Sequence, residues 1–271
     1  MTNRKVSAGV GVLTLVAASV LDYRRVAVGA ESAKPREVIV FAAASLKEAF
    51  EAIAMKFEAA HPGSRVVLQL AGSQELSMQI ENGAKADVFA SADLGHMKAL
   101  QDAGLVAKPT VFARNEPVVI TPKANPAGLL RFEDLPEAKK LIVGADEVPI
   151  GRYTSEVLEK AGKDLGEAFA RTVTANIASR ELNVRQILAK VSLGEGDAGF
   201  VYRTDAAAAR DKVRVIDIPS RWNVTAEYPI AVTAHAPDPE LAISWVEMVS
   251  SPPGQQILSG AGFLTAGPGP N

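Results

Sequence analysis

The chain of 271 residues contains no cysteine. That excludes disulfides, thiol nucleophiles, thiolate metal sites and a lipid-modified cysteine anchor. Histidine is scarce, with three in all. His61 stands at a helix stop, His235 in a loop pattern and His96 alone, with no metal-ligand or triad spacing among them. A long basic run is also missing, and with a formal net charge of −2 this argues against a nucleic-acid partner. Beyond the N-terminal segment, no stretch could span a bilayer, which takes roughly 20 apolar residues. Apolar residues are plentiful at 48% of the chain, ample for one large or two modest domains. No internal repeat is evident.

At the N-terminus, Arg4 and Lys5 precede an uncharged run of 16 residues from Val6 to Leu21. A basic tip before a short apolar stretch is the layout of a secretory signal. Val28 and Ala30 offer a processing site before Glu31, although Asp22–Arg25 lies awkwardly between the run and that site. Residues 1–30 are therefore expected to be a signal peptide, with an uncleaved anchor as the alternative. Either way the remainder, about 240 residues, lies outside the cytoplasm. The Gly/Pro-rich end, Ala266–Asn271, reads as a frayed tail.

Apolar β-rich runs alternate with helical patterns, which predicts an α/β protein with largely parallel sheets. Strands are expected at Val38–Ala42, Val66–Leu70, Asp87–Ala92, Pro117–Thr121, Leu141–Ala145, Ala198–Tyr202, Val213–Ile218 and Tyr228–Thr233. Helical spacing carries Leu46, Phe50, Ile53 and Phe57 on one face, then Leu76 with Ile80, and Leu94 with Met97 and Leu100. It returns through Tyr153, Val157 and Leu158, through Val184, Ile187, Leu188 and Val191, and from Leu241 to Ser250. Ser45 and Glu48 stand at capping-box spacing, which predicts Ser45 as the residue that opens its helix.

The informative feature is chemical repetition at strand-to-helix turns. Ser45 and Ser73 each follow a strand and precede a helix. A helix N-terminus has unpaired N–H groups and a positive dipole end, so it attracts anions. A serine there adds a hydroxyl. Turns on neighbouring parallel strands open at one sheet edge, where ligands of open α/β sheets bind. The second half offers similar mouths: Pro149 suits a helix start, placing the Ile150 N–H outward, and Asn183 can cap the helix beginning at Val184, with Gln186 at its third position. Tyr202 ends a strand, an edge position for its hydroxyl. Serine is also simply a good N-cap, and a strand-end tyrosine is commonly a half-buried core residue. Spacing thus points to an anion site without naming the anion.

These turns resemble the molybdate-binding proteins of ABC importers. Val40-Phe41-Ala42-Ala43-Ala44-Ser45-Leu46 is similar to the family's first strand and ligand turn. Ala71-Gly72-Ser73-Gln74-Glu75-Leu76, with Ala86-Asp87-Val88-Phe89-Ala90-Ser91-Ala92-Asp93 beyond it, is similar to the second. Pro149-Ile150-Gly151-Arg152-Tyr153, Asn183-Val184-Arg185, Gly199-Phe200-Val201-Tyr202 and Glu227-Tyr228-Pro229-Ile230-Ala231-Val232 follow in order. The resemblance covers Glu37 to Phe263. It implies a type II periplasmic binding protein, each lobe a mixed, mostly parallel sheet flanked by helices, with ligand in the cleft. Lobe one would combine residues 37–114 and 228–271, and lobe two would span 115–227. The implied ligand is molybdate or tungstate, held by Ser45 and Ser73 through hydroxyl and N–H, by the N–H of Ile150 and Val184, and by the Tyr202 hydroxyl. No cofactor and no direct protein–metal ligand is implied. The partner would be a membrane permease, and the receptor a monomer. Three positions depart from the family's frequent choices: Gly72, Asn183, which keeps the capping capacity of aspartate, and Ile150, bulkier than alanine.

Two other readings stay open. One is a receptor for another small ligand, such as sulfate, phosphate, iron or an organic acid; the other is an enzyme on the same fold. Asp87 and Asp93 bracket a strand and are expected to cap or pair locally. Glu147 beside a ligand turn would repel an anion. Arg185 reads equally as a source of long-range attraction or as a solvated helix residue.

Overall fold

The computed structural model describes residues 35–266. The expected signal segment 1–30 and residues 267–271 of the tail lie outside the described residues. The chain begins with β1 (Arg36–Ala43), a 3-10 turn (Ala44–Leu46), α1 (Lys47–Ala60), β2 (Ser64–Ala71), α2 (Ser73–Glu81), β3 (Val88–Ala90), α3 (Leu94–Asp102), β4 (Thr110–Asn115) and β5 (Pro117–Pro122). A second 3-10 turn (Phe132–Glu137) leads to β6 (Leu141–Gly144), α4 (Pro149–Leu165), α5 (Glu167–Ala175), β7 (Ile177–Glu181), α6 (Val184–Ser192), β8 (Ala198–Tyr202) and α7 (Arg203–Ala208). The chain closes with β9 (Val213–Ile216), β10 (Ala226–Val232), α8 (Pro239–Ser250), α9 (Pro252–Gly260) and β11 (Leu264–Thr265). Among the described residues no helix is long and apolar enough to cross a membrane.

The strands form two sheets, one of six in the order β11-β4-β10-β3-β1-β2 and one of five in the order β7-β6-β8-β5-β9. Both are mixed. In the first, β1 pairs in parallel with β2 and β3, while β10 runs antiparallel to β3 and β4. In the second, β6 pairs in parallel with β7 and β8, while β5 runs antiparallel to β8 and β9. β10 and β11 run against the other strands of the first sheet and β5 against those of the second, and β10 and β5 each follow a passage from one sheet to the other. The mixed sheets expected from the family resemblance are present, and most strands of each sheet share one direction.

Each sheet buries its own aromatic centre. Trp245 of α8 meets Phe50 and Phe57 of α1, each at 5.5 Å between ring centroids. In the second sheet Phe132 packs on Trp222 at 5.4 Å and Phe169 at 5.7 Å. Residues at helical spacing account for this: Phe50, Ile53, Ala54 and Phe57 are the buried face of α1, and Val184, Ile187, Leu188 and Val191 that of α6. Each fully buried side chain of this size contributes roughly 1.5–3 kcal/mol.

Several elements differ from the sequence expectation. Asp87–Ala92 shortens to a three-residue strand, Val88–Ala90, because Asp87 turns its carboxylate to the Ile39 and Asp238 N–H groups at 2.8 Å each. Strands β4, β7 and β11 and helices α5, α7 and α9 were not expected. β7, with Ser179, Arg180 and Glu181 in five residues, sits at a sheet edge and lacks an apolar run. Ser45 does not cap α1 through its side chain; it lies inside the 3-10 turn, and its hydroxyl meets the Tyr228 hydroxyl at 2.9 Å.

Gly151 marks the tightest helix–strand approach near the cleft. A Cβ there would meet the Ala145 carbonyl oxygen well inside contact distance and the Gly144 oxygen at 2.7 Å. Alanine improves helix propensity by about 1 kcal/mol, but overpacking against backbone costs typically 1–3 kcal/mol. With backbone atoms that close, the upper part of that range applies, so Gly151→Ala is expected to lower unfolding stability by about 1–2 kcal/mol in a urea titration. Unchanged stability would mean that α4 slides freely over β6.

Candidate functional site

Four strand ends open on one place. β1 runs into the turn carrying Ser45, β2 into α2 at Ser73, β6 through a short connection into α4 at Pro149, and β7 into α6 at Val184. β1 and β2 are neighbours in one sheet, β6 and β7 in the other. Between these ends lies a cavity lined by Ala43, Ala44, Ser45, Ala71, Gly72, Ser73, Ala92, Val148, Pro149, Ile150, Asn183, Val184 and Tyr202. Ser45, Ser73, Ile150, Val184 and Tyr202, all named from sequence, are brought together here, each at most 4% exposed. No lining residue is charged. The cavity is small, with little more room than a single water needs, and is far too small for a sugar or a peptide.

The hydrogen-bond accounts explain which donors face this space. The first N–H groups of a helix have no partner within it. At α6 the Asn183 side-chain oxygen accepts from Arg185 N–H at 3.1 Å and Gln186 N–H at 3.2 Å, which leaves the Val184 N–H to the cavity. Gln186 Oε1 in turn accepts from Leu182 N–H at 3.0 Å, one residue before the cap, so Asn183 caps α6 as expected but the reciprocal bond to its own N–H is not made. At α4, Pro149 occupies the first position and has no N–H, so Ile150 carries the first donor. At α2 the Glu75 carboxylate takes the Gly72 N–H at 2.9 Å, and Ser73 Oγ accepts from Ala92 N–H at 3.0 Å.

Two tyrosines complete the wall. The Tyr202 hydroxyl is buried with no hydrogen-bond partner among the described residues. Its ring stands 5.8 Å from that of Tyr228, whose hydroxyl holds Ser45. Burial pushes both phenols well above their ordinary pKa, so both keep their protons. Tyr228 was quoted as a landmark but given no role from sequence. Its contact to Ser45 spans 183 positions, and no local pattern carries it.

Charges stand just outside. Arg185 is not solvated on a helix face: its Nη1 donates to Glu48 Oε1 at 2.7 Å, its Nη2 meets Glu48 Oε2, and its Nε lies 2.8 Å from Asp205 Oδ1, off the N–H direction. Burial opposes the Arg185 charge, and Asp205 with Glu48 outweighs it, raising its pKa. Asp205 is fully buried and also accepts the Tyr202 N–H at 3.3 Å. Burial lifts its pKa to about 6, against the pull of Arg185. On the other flank Arg152 meets Asp93, which caps α3 through the His96 N–H at 2.9 Å and lies 3.0 Å from the His96 ring. Glu147 and His235 are exposed and do not line the cavity.

Sequence comparison accords with this architecture. Residues 38–264 match the family described as bacterial extracellular solute-binding proteins, and the chain belongs to that family. Within it, the chain is 39% identical over 230 residues to the molybdate-binding protein ModA of Mycobacterium bovis, covering 84% of each sequence. Among solved structures, the periplasmic molybdate-binding protein of Azotobacter vinelandii aligns with a TM-score of 0.73 at 21% identity, over 84% of this chain and 98% of that one. The sulfate-binding protein SubI of Mycobacterium tuberculosis aligns with a TM-score of 0.77 at 18% identity, over 86% and 88%. The two solved structures establish the shared fold.

Asp205 makes stability pH-dependent in a direction opposite to most paired carboxylates. Its folded pKa of about 6 exceeds the ordinary value of 3.8, so the folded state holds this proton more tightly than the unfolded one. The associated stability is present below about pH 4 and is lost as pH rises through about 6, up to about 3 kcal/mol in all. Wild type should gain stability relative to Asp205→Asn as pH falls from 7 to 4 in paired urea titrations. A difference that is flat over that window would overturn the assignment.

Proposed function

We propose that this protein is the extracytoplasmic receptor of an ABC importer and binds molybdate or tungstate between two lobes. One lobe would combine residues 37–114 with 228–271 and the other span 115–227, with the crossings near Asn115 and Tyr228 as the hinge. Residues 1–30 would direct export, and a membrane permease would receive the ligand from a monomeric receptor. The observation that carries the reading is the cavity: neutral donors from both sheets converge on a space with no charged lining. Closure would bring them together around the anion and signal occupancy.

The donor set suits a fully deprotonated dianion. Ser73 Oγ already accepts from Ala92, so its own proton is available to a ligand. Tyr228 donating to Ser45 would free the Ser45 proton in the same way. The Asn183 oxygen is engaged by two N–H groups and offers a ligand no free acceptor. Near neutral pH phosphate carries a proton that needs one, and leaving it unpaired costs about 1–3 kcal/mol. Sulfate has the right charge and would be excluded only by size. The 39% identity to a protein named for molybdate favours that anion over sulfate, whose named relative is 18% identical.

Calorimetry with molybdate, tungstate, sulfate and phosphate should show one saturable site, no turnover, and phosphate at least about tenfold weaker than molybdate. Sulfate or phosphate binding as tightly as molybdate would sink the ligand assignment. Charge-assisted hydrogen bonds contribute roughly 1.5–3 kcal/mol each. Combined Ser45→Ala and Ser73→Ala should therefore weaken molybdate binding more than about 100-fold with an unchanged circular dichroism spectrum. Tyr202→Phe should have a smaller effect, about 5- to 30-fold. Unaltered affinity in the double variant would refute these serines as ligands.

A further inference from the structure

Two arginines follow the ligand turns of the second sheet closely, and neither lines the cavity. Arg185 comes one residue after Val184, and Arg152 two after Ile150. Both reach the other sheet's elements. Arg185 grips Glu48 on α1, one helical turn beyond Ser45, through both Nη atoms. Arg152 meets Asp93, which stands one residue past the cavity-lining Ala92. These contacts flank the cavity on two sides. A neutral hydrogen bond joins them, from Gln74 Nε2 beside Ser73 to the Leu182 carbonyl oxygen at 2.6 Å.

We infer that Arg185 is a positioning residue that latches the two lobes closed through Glu48, with Arg152–Asp93 as a second latch, rather than a charge that attracts the anion. The inference rests on the reading of the cavity as an anion site that closes. Asp205, fully buried on Arg185's own side, places its carboxylate 2.8 Å from Nε as an ion pair, while the Nη atoms reach Glu48. The guanidinium is thereby pre-set before the lobes meet, and its planar fork fits a carboxylate bidentately. Arg185 lies beside one ligand turn and Glu48 just beyond another, so the pair couples the two turns that would hold the anion.

The two roles predict opposite signs for one substitution. Glu48→Gln removes a negative charge close to a dianion site. If Arg185 acted by attraction, affinity would rise. If it latches, closure becomes less favourable and affinity falls, by about three- to tenfold for a half-exposed bidentate pair. Glu48 is the better target than Arg185, whose loss would leave Asp205 buried and unpaired.

Closure itself is read without ligand. The absence of native cysteine allows spin labels at Met78→Cys on α2 and Leu193→Cys after α6, both exposed positions, with the distance measured by pulsed electron resonance. In the ligand-free protein Glu48→Gln should shift this distribution to longer distances, and in a molybdate titration it should bind more weakly. An unchanged distribution, or affinity equal to or above wild type, overturns the latch. If the wild type bound no oxyanion, the proposed function would fail, and the ligand-free distances alone would decide the latch.

Discussion

A helix N-terminus leaves N–H groups that its own hydrogen bonds cannot reach, and burying such a group without an acceptor costs about 1–3 kcal/mol. The cleft gathers several of these at once. The amides at Ser73, Ile150 and Val184 begin three helices, and the Ser45 amide lies in a 3-10 turn. Around them the wall is mostly alanine, glycine, valine and proline, and the oxygen of its one amide side chain, Asn183, is already engaged by two N–H groups. The unpartnered Tyr202 hydroxyl adds a fifth donor. Much of the architecture serves to bring these groups together: β1 with β2, and β6 with β7, must lie side by side and parallel for their ends to share an edge.

The reversed strands have a matching purpose. Asn115 on β4 pairs with Ala226 on β10, and Pro117 on β5 pairs with Tyr202 on β8. Both passages between the sheets therefore run close together, on one side of the cavity. In the proposed reading that seam is the only covalent link and the lobes can turn about it. The seam is also where the tyrosines collect. Tyr228 lies on β10 and Tyr202 ends β8, with rings 5.8 Å apart. In that reading the Tyr202 hydroxyl would stand next to the axis of the motion, where displacement on opening is smallest, and the serine and helix-mouth donors farther out would gain most from closure.

Local chemistry was legible in the sequence wherever it repeats within a few residues. Strand, small residue, serine and helix recur at Ser45 and Ser73. Pro149 and Asn183 announce helix starts by the orphan donors they leave, and Asn183 caps α6 as expected, although Gln186 reaches back to Leu182 rather than to Asn183. What was not legible is pairing across sequence distance. Tyr228 holds Ser45 from 183 positions away, and Arg185 reaches Glu48 over 137. The Ser45–Glu48 spacing even misled, because Glu48 had a stronger partner than a backbone N–H: a guanidinium from the other sheet. Edge strand β7 and short α7 lack the apolar period that marks buried elements. The family resemblance supplied the anion, which residue spacing alone did not.

Keeping the arginines out of the cavity has a chemical consequence. A guanidinium against the ligand would favour any compact anion, because the Coulomb term between charges in a low-dielectric site is large and indifferent to protonation detail. Neutral donors are more discriminating. They stabilise a dianion only if its oxygens fall where the N–H and O–H groups point, and they penalise an anion that brings a proton of its own. Arg185 and Arg152 keep their carboxylate partners Glu48 and Asp93 instead, so their charge is compensated when the sheets meet. In the proposed reading the ion pairs would favour closure for every ligand alike, while the neutral cavity would decide which ligand completes it.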